Sequence, residues 1–156
     1  MYSHVGVVVE TDYLFFVIHV VPGERETGQT IDLIRMETIS DFFSLHRAER
    51  GEVRRFSGDD TLEPEDTTRW AEPGRLASVH ARRLYESRLP FDHDYNLADT
   101  TAMYCTEFVW YVYCLAGMDI TQGRRSTVSN LALFNGEYIY PSDIYNNDKL
   151  QTVFRF

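Results

Sequence analysis

The chain has 156 residues, a formal net charge of −9, 44% hydrophobic residues and 14% aromatic residues. That length suits one domain with a single core, residues 1–156, and the composition excludes general disorder. The negative charge argues against nucleic acid or an anionic membrane surface as partner. No apolar run approaches the ~20 residues of a membrane-spanning helix.

In chain order, Ser3 to Glu10 and Tyr13 to Val21 are rich in Val, Phe and Ile and flank Thr11-Asp12. They read as a β-hairpin that Pro22-Gly23 ends. Both strands are apolar on both faces, which predicts a sheet covered on each side. The apolar residues 1–22 lack a basic start and a small-residue cleavage site, so they read as strands and not as a signal peptide. The compartment stays open: cytoplasm, or cell envelope if a leader has been removed.

Ile31 to Arg35 reads as a short strand, and Ser40 to His46 as a short helix with Ser40 as N-cap. Val53 to Phe56 reads as another strand after Gly51. Residues 57–74 are polar and acidic and read as loop with at most one helical turn. Arg75 to Arg88 is amphipathic at helical spacing through Leu76, Val79, His80, Arg83 and Leu84. Pro90 stops it, and Phe91 to Asp99 is irregular and aromatic. From Ala102 to Ala116 comes a helix apolar all round, closed by Gly117, of the kind normally buried. Ile139-Tyr140 and Gln151 to Phe156 are closing strands. The order predicts an α+β fold, with an antiparallel sheet packed against a central buried helix that carries Cys105.

Three residues suggest chemistry. Cys105 lies near the start of its helix, where the helix dipole favours thiolate over thiol. If Thr11-Asp12 is the turn, Glu10 pairs with Tyr13 and His4 lies directly opposite His19, with Cβ atoms roughly 5 Å apart. One histidine then acts as base while the other orients it. A lone strand histidine is more often a packing residue. Two in cross-strand register, with a cysteine at a helix start, favour function. Cys114 sits mid-helix among Val112, Tyr113 and Leu115 and reads as core. Nine residues along one helix rise about 13.5 Å, so Cys105 and Cys114 cannot pair. His4, His19 and Cys105 together are also a ligand set for zinc, and that alternative stays open at this point. His46, His80 and His93 are scattered; His93 lies in the loop leading into the cysteine helix.

The segments Ser3-His4-Val5-Gly6-Val7-Val8-Val9, Phe16-Val17-Ile18-His19-Val20 and Tyr104-Cys105-Thr106-Glu107-Phe108-Val109-Trp110 together resemble the circularly permuted papain-like amidases of the YiiX/YaeF type. These are relatives of the NlpC-type cell-wall peptidases and of lecithin:retinol acyltransferase. The histidine strand precedes the cysteine helix, as in the permuted arrangement. Phe91-Asp92-His93-Asp94-Tyr95-Asn96-Leu97 resembles the family's approach to the nucleophile. Tyr140-Pro141-Ser142-Asp143-Ile144-Tyr145 resembles its proline–aspartate segment, so the likeness spans nearly the whole chain. It implies a permuted papain-like (NlpC-type) fold and a cysteine peptidase or amidase. Cys105 would be the nucleophile, His4 the base and His19 the third, orienting residue, where the family often shows Glu. The family also usually carries a strand before the histidine strand, which this sequence does not show. Tyr2 and Tyr104 are the candidate oxyanion or substrate contacts. The implied substrate is a small peptide, an N-acyl compound or a lipid amide, and no metal or cofactor is called for. A peptide- or lipid-binding module without turnover is the competing reading. Oligomeric state is left open.

Overall fold

The structure, a computed structural model, describes residues 2–23, 25–26, 29–30, 33–44, 48–56, 67–131 and 134–155. Strands β1 (Val7–Thr11) and β2 (Leu14–Val20) form the expected hairpin, and β5 (Ile34–Thr38) pairs with the far side of β2. The result is an antiparallel three-stranded sheet in the order β1-β2-β5. Two-residue strands β3 (Arg25–Glu26) and β4 (Gln29–Thr30) pair with each other between β2 and β5. Helix α1 (Ile39–Phe42) follows β5 directly; β6 (Glu52–Phe56) and α2 (Thr67–Glu86) come next, then the cysteine helix α3 (Cys105–Leu115). The chain closes with β7 (Ser126–Leu131), β8 (Phe134–Tyr138), α4 (Pro141–Tyr145) and β9 (Leu150–Arg155). β6 pairs with β9 and β7 with β8, each antiparallel.

The hairpin register differs from the sequence expectation by one residue on each strand. Thr11 pairs with Leu14, and the turn is Asp12-Tyr13. Both turn residues have positive φ, 51° and 64°. That is the primed two-residue turn whose twist suits the strands. Thr11 is β-branched and fits the extended ladder better than a left-handed turn position. The shift leaves each side chain on its original face, because the pairing of one strand against the other changes by two residues, a full strand period.

The sheet is covered on one face. Val7 and Val9 of β1, Ile18 and Val20 of β2 and Ile34 of β5 join Ala77 and Ala81 of α2 and Phe108, Val109 and Val112 of α3 in one core. Ala77 and Ala81 stand one turn apart, and their small side chains let α2 lie close to the sheet. Toward the hairpin tip the opposite face is open: Val8 and Phe15 are exposed. The expectation of a sheet covered on both sides therefore fails there.

Other boundaries move for local reasons. α1 is capped by Thr38, not Ser40: the Thr38 hydroxyl accepts the Asp41 N–H at 3.1 Å. β5 starts at Ile34, and the earlier part of the predicted strand, Ile31 and Asp32, lies outside the described residues, as does His46. α2 begins at Thr67, eight residues before the amphipathic stretch, and contains Pro73. A proline interior to a helix withholds one backbone donor, which is why the sequence pattern reads it as a boundary. Residues 57–66 lie outside the described residues. Ile139 and Tyr140, expected as a strand, instead lead into α4, with Tyr140 as its N-cap and Pro141 pre-set at the first helical position. α3 is buried at its start but not all round, since Leu115 is exposed and Cys114 only half-buried. Cys114 is therefore not the core residue that its neighbours in sequence suggest.

Candidate active site

Cys105 is the first residue of α3. The segment before it is pinned: Met103 N–H donates to the Pro90 carbonyl and Asp92 N–H to the Met103 carbonyl, both at 3.1 Å. Glu107, third in the helix, accepts the Tyr104 N–H at 3.3 Å, half of a capping box. The flanks of Cys105 both reach Ile139. The Tyr104 hydroxyl accepts the Ile139 N–H at 2.9 Å, and the Thr106 hydroxyl donates to the Ile139 carbonyl. Cys105 is thus held from both sides by one residue more than thirty positions away.

The loop from Phe91 is shaped by Asp92. Its buried carboxylate accepts the N–H groups of Asp94 at 2.8 Å and Asn96 at 2.6 Å. This wraps the backbone so that Tyr95 takes a positive φ of 52° and its ring lies 5.0 Å from that of Tyr104. His93 is exposed and packs edge-on against Phe91.

On the sheet, His4 Nε2 and His19 Nδ1 stand 2.8 Å apart. In the observed register they are diagonal neighbours and not directly opposite. Gly6 makes this possible. A Cβ at Gly6 would lie 2.6 Å from Val17 Cγ1, 2.9 Å from the Ile18 carbonyl and 3.1 Å from His19 Cβ. The missing side chain lets the segment bearing His4 lie flat over β2. Phe42 of α1 closes the site, with its ring 5.6 Å from His4 and 5.0 Å from His19. His19 is 3% exposed. Its other nitrogen, Nε2, lies 3.4 Å from Glu37 Oε2. Glu37 was not singled out in the sequence; alternation along β5 is the only signal that could have found it.

The two halves meet at Val5. Its N–H, with those of Cys105 and Thr106, lies toward the Cys105 sulfur and favours the thiolate. Burial nevertheless pushes the thiol pKa up from its ordinary value, and these donors oppose the rise. The expectation of a thiol already ionised by the helix dipole is therefore corrected: desolvation outweighs it. Burial also pushes Glu107 up to about 8, with Asp92 and Asp99 adding to the rise. A neutral Glu107 keeps the helix start free of a fixed anion at neutral pH.

Of the two tyrosines, Tyr104 is buried with its hydroxyl bonded to Ile139. The Tyr2 hydroxyl donates to Glu52, which holds its proton on, and its ring rests against Tyr145 at 5.2 Å. The geometry gives both phenols structural partners. A separate groove of about 720 Å³ runs between the hairpin tip and α2, past Glu10, Asp12, Arg75 and Arg82. Cys105, His4 and His19 do not line it.

This arrangement of sheet, cysteine helix and closing segments has a solved counterpart. It is the metalloprotein YiiX from Escherichia coli O157:H7, with a TM-score of 0.70 and 20% sequence identity over 99% of this chain and 83% of that one. The chain has the YiiX fold. No family model and no curated protein matches the sequence. The description of YiiX as a metalloprotein calls for a test of the donor set here. His4 and His19 turn a nitrogen each toward the other, and not toward a common third point. Among the described residues no three His, Cys, Asp or Glu side chains converge as a metal-holding group. The described residues as arranged do not fit a metal. Among the described residues, too, no helix is long and apolar enough to cross a membrane.

Proposed function

We propose that the chain is a cysteine-dependent amide hydrolase of permuted papain-like architecture, with Cys105 as nucleophile, His4 as general base and His19 orienting His4. The observation that carries this reading is the histidine pair, His4 Nε2 to His19 Nδ1 at 2.8 Å, one residue from Val5, whose N–H acts on the Cys105 sulfur. A nucleophile, a base and an orienting group in series make up the catalytic arrangement of acyl-transfer enzymes.

The raised thiol pKa shapes the mechanism. The resting state is a neutral thiol, so His4 must take its proton as the sulfur attacks the amide carbonyl. The N–H groups of Val5 and Thr106 then stabilise charge on sulfur as it develops. The Cys105 N–H, at the helix start and without an i−4 partner, is the natural donor to the tetrahedral oxyanion. His4 returns the proton to the leaving amine, and the thioester forms. His4 next deprotonates water, which attacks the thioester and releases the acid and the free thiol. The exposed ring of Tyr95 beside Tyr104 offers an apolar wall, which suits a cell-wall peptide or an N-acyl or lipid amide.

Burial of the thiol also favours a second reading, a scaffold that binds such a ligand without turnover. Incubation with a panel of acyl-amide and activated-ester substrates, followed by intact mass measurement, separates the two. An acyl adduct on Cys105 that forms and then disappears supports the hydrolase. Absence of any adduct, with ligand still bound, supports the scaffold.

A further inference from the structure

Resting on the reading of His4 as base, we propose that Glu37 is a positioning residue that selects the tautomers of both histidines, leaving Nδ1 of His4 as the basic nitrogen. β5 pairs with β2 so that Arg35 is opposite His19 and Glu37 opposite Val17. Glu37 is therefore one diagonal step from His19 on the same face, within reach of a long side chain. Its Oε2 lies 3.4 Å from His19 Nε2, an ion-pairing distance somewhat longer than a hydrogen bond. Both side chains are largely withdrawn from water, 4% and 16% exposed.

A carboxylate offers only acceptor oxygens, so at this ion-pairing distance it favours the proton on the His19 nitrogen that faces it. A neutral His19 protonated at Nε2 has its lone pair at Nδ1. That Nδ1 is 2.8 Å from His4 Nε2. His4 must then donate from Nε2, and its lone pair sits on Nδ1.

Without Glu37 the 2.8 Å bond is equally satisfied in reverse. His19 would donate from Nδ1 to a bare His4 Nε2, and His4 would carry its proton on Nδ1. A neutral His4 of that kind has no free nitrogen to receive the thiol proton. The hydrogen bond between the histidines has two directions, and Glu37 chooses one of them. When His4 takes the thiol proton it becomes a donor at both nitrogens. The Nε2–H bond to His19 is unchanged, so nothing in the pair need turn.

Also at this face, among the described residues, are Arg35, across from His19, and the Phe42 ring against both imidazoles. Neither accepts a hydrogen bond, so neither replaces Glu37.

Long-range proton–nitrogen correlation spectra of the nitrogen-15-labelled chain, recorded where both histidines are neutral, read each tautomer directly. The expected result is the Nε2–H form for His19 and for His4. Glu37→Ala should convert a substantial fraction of both to the Nδ1–H form, and Glu37→Gln, which keeps an acceptor oxygen, should restore the original pattern. Cys105 labelling by a haloacetamide should slow about tenfold or more in Glu37→Ala and recover in Glu37→Gln. An Nδ1–H tautomer for His19 in the unaltered chain overturns the proposal, and this arm needs no variant to fold. Unchanged tautomers in folded Glu37→Ala also overturn it. If the tautomers are as stated but Cys105 forms no acyl adduct, the hydrolase reading fails and the role of Glu37 in the pair stands.

Discussion

His4 and His19 share a 2.8 Å hydrogen bond although they are diagonal, not opposite, on the hairpin. Two groups must cooperate for it to form. Gly6 lets the strands approach, and Phe42 shields the pair from water that would compete for both nitrogens. The bond links the residue read as base to a nearly fully buried partner.

Replacing His19 tests that link. His19→Ala should lower turnover by about 10-fold to 100-fold and leave some activity, since an orienting group contributes less than nucleophile or base. Cys105→Ala should abolish it. His19→Gln should retain more activity than His19→Ala, because it still offers an acceptor to His4. Initial rates on any substrate found by screening, with folding checked by thermal melt, decide the order. Full activity in every His19 variant would leave a dyad of Cys105 and His4.

The thiol should behave as a buried neutral group. Its haloacetamide labelling should rise with pH and reach half its maximum above the ~8.5 of free cysteine, because desolvation raises the pKa. Peptide mapping separates Cys105 from Cys114, which burial also shifts upward. A labelling midpoint for Cys105 near pH 6 would mean a preformed thiolate and would overturn this account.

Gly6→Ala should destabilise the fold by about 1–3 kcal/mol, as overpacking of a tight site generally does. Such a loss lowers Tm by roughly 2–4 °C per kcal/mol in a chain of this size. The contact at 2.9 Å is with the Ile18 carbonyl, which belongs to the sheet ladder and cannot swing aside. Calorimetry checks the stability, and the histidine ring signals check the pair. An unshifted Tm with unchanged rings would show that the strands have room to spare.

Glu107 should make stability fall as pH rises. Its folded pKa of about 8 lies above the unfolded carboxylate value. The unfolded chain ionises first, so stability is greatest below about pH 4 on this account and declines until the folded group ionises near 8. The loss is on the order of a few kcal/mol. Glu107→Gln keeps an acceptor for the Tyr104 N–H and removes the titration. Melts at pH 5 and pH 8.5 should show the variant gaining on the parent at the higher pH. Parallel curves would show that Glu107 is ionised in the folded chain as well.

Local pattern in the sequence revealed the hairpin, the cysteine helix and the shared face of His4 and His19. Those features depend on alternation and on helix start signals, which act over a few residues. The turn position did not emerge, because Thr11-Asp12 and Asp12-Tyr13 differ only in which residues accept a left-handed backbone. α4 was missed as a helix because its Pro141 and Asp143 act as a cap in a very short element. β7 and β8 lack strong alternation, so no local pattern marks them as strands. Glu37 was invisible for another reason. Its meaning comes from the pairing of β5 with β2, a contact between distant segments that no local window contains.

The two bonds from Tyr104 and Thr106 to Ile139 tie the placing of Cys105 to the order in which the chain matures. Histidines, hairpin and cysteine have all been synthesised before Ile139 emerges, yet the turn that presents the sulfur is not anchored until that residue arrives. A nascent chain therefore carries Cys105 without this anchor until Ile139 has emerged. Presentation of the sulfur is thus a late event in folding, completed only when the segment bearing Ile139 docks against the start of α3.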